Sequence, residues 1–92
     1  MAKALIYGDI SPNVIDGSSI WLVSITETLT KIFDEVHLLL KMTPTNDLLV
    51  GRLESVDNVV IHKPSGILVD EALSVADATK QIAQLITELD AS

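Results

Sequence analysis

Ser19-Ile20-Trp21-Leu22-Val23-Ser24-Ile25-Thr26-Glu27-Thr28-Leu29-Thr30-Lys31-Ile32, residues 19–32, changes the period of the chain and so decides its fold. Leu22, Ile25, Leu29 and Ile32 recur at spacings of three and four, while Ser24, Glu27, Thr28 and Lys31 take the opposite side. The spacing predicts an amphipathic helix of roughly 15 residues, with Ser18 or Ser19 as its N-cap. Its many Ile, Val and Thr residues are poor helix formers, so packing against a sheet must hold it.

On either side of this helix lie short apolar runs. Ala4-Leu5-Ile6-Tyr7 ends at Gly8-Asp9, is too brief for a helix and reads as a buried strand. Between it and the helix, Ser11-Pro12-Asn13 and Asp16-Gly17 are turn chemistry. Val36 to Leu40, entered through Asp34-Glu35, is a second strand, central in character. A loop with Pro44 follows, then a short helix over Asp47 to Leu53, capped by Thr45 or Asn46 and weakened by Gly51. Asp57-Asn58 turns the chain into a third strand, Val59-Val60-Ile61, which stops at Lys63-Pro64. In the last segment Val75, Ala76, Thr79, Ile82, Ala83, Ile86 and Leu89 share one face of a second long helix. Ser74 with Asp77 would cap it, and Asp70 is a competing start.

The order β-α-β-(α)-β-α predicts an α/β fold: a three-layer, Rossmann-like parallel sheet of three strands with right-handed crossovers, in a single unit over residues 1–92. A crossover helix that leads to no further strand suggests a truncated domain. Composition agrees with the sheet. Hydrophobic residues make up 48% of the chain and aromatics only 3%, which suits strands buried on both faces. That is more apolar surface than one small domain readily hides, so self-association through exposed apolar faces is expected.

Six Lys and Arg against thirteen Asp and Glu give a formal charge of -7. Nucleic acid and anionic membranes would repel such a chain, and no basic cluster offsets the balance. There is no cysteine, hence no disulfide or thiolate metal site. Met1-Ala2-Lys3 runs directly into the first strand without a secretory leader, and Ile20–Val23 and Leu38–Leu40 are too short to span a bilayer. The expectation is a soluble cytoplasmic protein with no transmembrane segment.

Ligands of open α/β sheets bind at the carboxyl ends of the strands, where the loop from Gly8 to Ser19 lies. Gly17-Ser18-Ser19 opens a helix whose first amides carry partial positive charge, a natural seat for a phosphate or diphosphate. The plainer reading is that Gly17 makes the turn and Ser18 caps the helix. Gly8, Gly17, Gly51 and Gly66 are the only glycines, so neither G-x-G-x-x-G nor a Walker A loop can be written, and no cofactor is implied. Ser18 and Ser19 lack the flanking glycines of a nucleophile elbow. His37 near the start of the second strand and His62 at the end of the third would be offset by about 10 Å along the sheet, which argues against a shared metal. His62 reaches the ligand-bearing edge, yet a hydrogen-bonded structural role is the simpler reading for it. Asp9 ends a strand on the same edge, but the third strand ends in His62-Lys63 instead of the Asp a phosphoacceptor receiver domain requires.

Gly8-Asp9, Pro12-Asn13, Asp16-Gly17-Ser18-Ser19-Ile20-Trp21 and, beyond the helix, Phe33-Asp34-Glu35-Val36-His37-Leu38-Leu39-Leu40 follow in an order that resembles the start of two-domain (GT-B) glycosyltransferases, best those of the retaining, glycogen-synthase-like group. The resemblance covers roughly residues 3–64. Glu35-Val36 keeps half of the family's Gly-His-Glu-Val-like turn, and Gly17 stands for its paired glycine. The resemblance implies an N-terminal, mainly acceptor-binding Rossmann domain. Gly17, Ser18 and Ser19 would lie near the donor diphosphate, and Pro12, Asn13 and Asp16 would shape the acceptor side. A second domain supplies most nucleotide-sugar contacts in that family, so this chain alone would be an inactive fragment with no catalytic residue and no metal. The alternative is a stand-alone Rossmann-like interaction module forming a homo-oligomer.

Overall fold

The structure, a computed structural model, describes residues 2–13 and 16–91. Three strands, β1 (Lys3–Gly8), β2 (Glu35–Leu40) and β3 (Val59–His62), alternate with three helices, α1 (Gly17–Leu29), α2 (Val50–Glu54) and α3 (Val75–Ala91). The strands form one parallel sheet in the order β1-β2-β3. The expected α/β arrangement is therefore present, with β2 in the middle and β1 and β3 at the edges.

Strand alternation assigns the two faces. Leu38 and Leu40 of β2 pack with Leu22 and Val23 of α1 and with Leu49, Val50 and Leu53 around α2, flanked by Ile6, Val59 and Ile61 from the strands. This is the main core, and Leu38 and Leu40 of β2 are completely buried in it, as are Leu49 and Leu53. His37 and Leu39 point to the other face, under α3. That helix crosses the sheet on a diagonal. Gln81 exchanges two hydrogen bonds with the backbone of Ser65 just past β3, and Lys3 Nζ of β1 donates to the carbonyl of Leu89. The second face is incompletely covered, since Val60 of β3 is 40% exposed.

Both long helices differ in detail from the sequence reading. Asp16, not Ser18 or Ser19, caps α1, and the helix ends at Leu29, leaving Ile32 outside it and 67% exposed. The buried line is Ser19, Leu22, Val23 and Thr26. Thr26 is tolerated there because its hydroxyl donates back to the carbonyl of Leu22. On α3 the buried positions are Ala78 and Leu85, with Ile82 and Leu89 half-buried, whereas Val75, Ala76, Thr79, Ala83 and Ile86 are exposed. A diagonal helix over a three-stranded sheet meets it along one narrow line, so only part of the apolar stripe finds cover. Ser74 does cap this helix: its hydroxyl accepts from the amide of Asp77. The short helix α2 begins at Val50 with no side-chain cap; Asn46 instead accepts from the amide of Leu48.

Candidate functional site

The carboxyl end of β1 lies against α1 at Gly8, beside Leu22 in the second turn of the helix. A Cβ on Gly8 would lie 3.1 Å from Leu22 Cδ2 and 3.4 Å from Leu38 Cδ1, so the helix and strand approach closely there and an added side chain would press on both leucines. Immediately beyond it, Asp9 pairs with Lys41 at the matching end of β2, Nζ to Oδ1 at 3.2 Å. The amide of Lys41 donates to the carbonyl of Gly8. A cavity of about 390 Å³ opens here, with Tyr7, Asp9 and Ile10 on the strand side and Gly17, Ser18, Trp21 and Leu22 on the helix side. No Lys or Arg lines it among the described residues. Burial, and then the neighbouring Asp9 charge, push the Tyr7 hydroxyl above its ordinary pKa.

Asp16 and Ser19 close a capping box. The amide of Ser19 donates to Asp16 Oδ1 at 2.9 Å, while the Ser19 hydroxyl accepts from the amide of Asp16 at 2.8 Å and is set against its carbonyl at 2.9 Å. Ser19 is fully buried, so its amide and hydroxyl are committed to the fold. Gly17 and Ser18 do border the cavity, and their amides, first in the helix, have no intrahelical acceptor. The helix end nonetheless already carries the carboxylate of Asp16, which answers the dipole that would attract an anion.

Pro12 and Asn13 serve a different surface. Pro12 is fully buried. Asn13 Nδ2 donates to the carbonyl of Thr43, its Oδ1 accepts from the amide of Thr45 at 2.6 Å, and its carbonyl accepts from Asn46 Nδ2. Together they knit the loop after β1 to the loop after β2. Of the six residues singled out in the sequence, the structure thus brings Gly17 and Ser18 to the cavity, commits Asp16 and Ser19 to the helix cap, and sets Pro12 and Asn13 where the two loops join. Trp21, Tyr7, Ile10 and Asp9 complete the wall. Trp21 was detectable in principle, because it follows Ser18 by three residues and so shares its side of the helix.

The histidines are closer than the expected 10 Å offset. Leu39 pairs with His62 and His37 with Val60, so the two histidines are offset by two residues, about 7 Å along the strand, and share a face. Their rings stack with centroids 5.1 Å apart. His37 Nδ1 lies 2.8 Å from His62 Nε2, and His37 Nε2 lies 2.8 Å from Glu35 Oε1. Asn58 sets this register: its carbonyl accepts from the amide of Val36, and its side-chain amide donates to the carbonyls of Thr30 and Phe33. No group of three or more His, Cys, Asp or Glu among the described residues is arranged to hold a metal. A larger hollow of about 710 Å³ lies at the opposite, amino end of the strands between Lys3, Leu5 and Leu89, away from the edge where ligands of such sheets bind.

Among the described residues no helix is long and apolar enough to cross a membrane. Comparison of the chain with protein-family models, with curated proteins and with solved structures finds no match.

Proposed function

We propose that this chain is the N-terminal, acceptor-side part of a cytoplasmic two-domain glycosyltransferase, which moves a sugar from a nucleotide-sugar donor to an acceptor and needs its second domain to do so. The observation that carries the reading is the cavity at the carboxyl end of β1, bounded by the strand end and the first turn of α1. Open parallel sheets place their ligands at this edge. The order of motifs from Gly8 through Trp21 to Leu40 supports the family assignment. In this reading the chain's part is to hold a substrate, and the second domain supplies most of the donor contacts. Gly17 and Ser18 remain the residues nearest the donor phosphates in this reading, and Ser19 keeps the helix start in place.

A second reading has its own observation. Ile20 and Trp21 on α1 and Val75 and Ile86 on α3 are all about half exposed or more, which suits a small module that associates through its helical layers. The size of the native protein separates the two. An antibody raised against this chain should detect a species far larger than 9.9 kDa in source cells, and that species, once purified, should consume nucleotide-sugar donors. A native species of 9.9 kDa would remove the transferase reading and leave the association module.

A further inference from the structure

We infer that β1 is a dimerisation edge: two copies of the chain join their sheets by antiparallel pairing of residues 3–9 about a two-fold axis at Ile6. The inference rests on the reading of the chain as an association module and moves the interface from the helical layers to the sheet.

β1 has a neighbouring strand on one side only. The carbonyl of Ala2 accepts from the amides of Asp34 and Glu35, and that of Gly8 from the amide of Lys41. Main-chain groups of the even-numbered residues therefore face β2, and those of Leu5 and Tyr7 face the open side. Little in the strand discourages a partner. It runs six residues, contains no proline and carries a single charge, at its first position. The other edge is guarded: β3 is four residues long and stops at Lys63-Pro64. Short length, lysine and proline are means by which edges are kept from pairing, and only β3 combines them.

The order of residues 3–9 selects a second copy as the occupant. Read outward from Ile6, leucine is matched by tyrosine, alanine by glycine, and lysine by aspartate. Antiparallel pairing about Ile6 sets Leu5 against Tyr7 of the second copy, Ala4 against its Gly8, and Lys3 against its Asp9. Matched residues share a face of the sheet, because their numbers differ by an even count. Leu5 and Tyr7 then exchange both main-chain hydrogen bonds, and Ile6 meets Ile6 in the closer, non-hydrogen-bonded kind of pair. Cross-strand contacts between aromatic and aliphatic side chains and between opposite charges stabilise a sheet, and the axis makes each of them twice. Asp9 has room for a second cation, since its side chain is 74% exposed beside Lys41. Lys3, which donates to the carbonyl of Leu89, has three hydrogens to give.

The flanks of the strand agree. One hollow lies between β1 and α3, with Leu5 and Ile86 in its wall, and another between the end of β1 and α1, with Tyr7 and Trp21. Ile86 and Trp21 are 49% and 64% exposed, apolar surface that the helices of a second copy would cover.

Sedimentation equilibrium of the whole chain should give twice 9.9 kDa. Lys3→Asp or Asp9→Lys alone sets like charges opposite each other at both ends of the pairing and should weaken the dimer on the order of tenfold. The two changes together restore the match and should recover most of the loss, which damage to the fold would not do. The chain has no cysteine, so one introduced thiol reports the register. Ile6→Cys should link two copies on air oxidation, while Val60→Cys, on the guarded edge, should not; circular dichroism checks that both fold. A monomer at every concentration up to the millimolar range would overturn the inference and the association reading together. A dimer indifferent to the charge reversals, or one that links through Trp21→Cys and not through Ile6→Cys, would overturn the β1 edge and leave association through the helices standing.

Discussion

His37 Nδ1 and His62 Nε2 approach to 2.8 Å across two adjacent parallel strands, and the far nitrogen of His37 rests on Glu35 Oε1 at the same distance. The carboxylate only accepts, so His37 carries its hydrogen on Nε2. The contact between His37 Nδ1 and His62 Nε2 carries one hydrogen, and the Glu35 carboxylate orients the His37 ring for it. The pair lies beneath α3, where His62 shares a small cavity with Gln81, Leu85 and Glu88. It ties the two strands together on the thinly covered face of the sheet.

Stability should fall as the solution is acidified through the histidine range. Burial lowers the pKa of His62, the neighbouring His37 lowers it further, and Glu88 partly opposes them. The unfolded chain takes up the proton at about 6.5, before the folded chain does. In that window the unfolded state holds more protons, so stability is fully present above about pH 6.5 and declines as pH drops toward the folded value. Tyr7 sets a limb of the opposite sign. Its raised pKa makes stability fall as pH climbs beyond about 10. Urea midpoints of the wild type and of His62→Gln, compared from pH 8 to 5, isolate the acidic limb. Parallel curves for the two proteins would show that His62 does not cause it.

Replacing His37 by leucine keeps its volume but removes both of its hydrogen bonds. His62 Nε2 then faces an apolar neighbour while partly shielded from water, so His37→Leu should cost about 1–3 kcal/mol. Changing both histidines to leucine removes the stranded group as well. The double variant should be more stable than the two single losses predict, by an interaction of about 0.5–3 kcal/mol. Additive losses across the cycle would mean that the 2.8 Å contact contributes nothing.

Much of the architecture was legible in the chain because the strands are uninterrupted aliphatic runs bounded by turn residues. Val36 to Leu40 could hardly be anything but a central strand. The start of α1 was harder. Ser18 and Ser19 are both good caps, and only the folded loop shows that Asp16 uses Ser19 three residues on to close the box. The histidine pair was out of reach for a different reason. A shift of a single residue in β3 would put His62 on the opposite face from His37, and the register is set by Asn58 binding to the end of α1, a contact between residues 25 or more apart. Which apolar residues of α3 are covered likewise depends on the diagonal of the helix over the sheet, which periodicity does not encode. The cavity itself needs both the loop and the helix in place, so the sequence did not single out Trp21 as part of its wall.

Asp16 gives a test of the helix start that bounds the cavity. Asp16→Ala removes the acceptor for the Ser19 amide and should cost about 1 kcal/mol, while Asp16→Asn, an equally good cap, should cost little. Thermal unfolding of the two variants measures the difference. Equal losses would trace the effect to charge and not to capping.

Gly8 tests how closely α1 must sit on β1. In Gly8→Ala the new Cβ would stand 3.1 Å from Leu22 Cδ2 and 3.4 Å from Leu38 Cδ1. Those leucines are 1% and 0% exposed, so neither can swing away into solvent. Overpacking of this kind costs about 1–3 kcal/mol. Restricting the unfolded chain returns about 0.4–1 kcal/mol, so the net effect should be a loss, on the order of 1 kcal/mol. Leu22→Val shortens the obstructing side chain. In the Gly8→Ala background it should cost less than it does alone, and a double-mutant cycle from urea midpoints reads that difference. Gly8→Ala should also move the Trp21 indole cross-peak, because the turn of α1 that carries Leu22 carries Trp21 as well. A stable Gly8→Ala protein with an unmoved indole signal would mean that the strand and helix can part without disturbing the cavity, and that the close approach at Gly8 is not what shapes it.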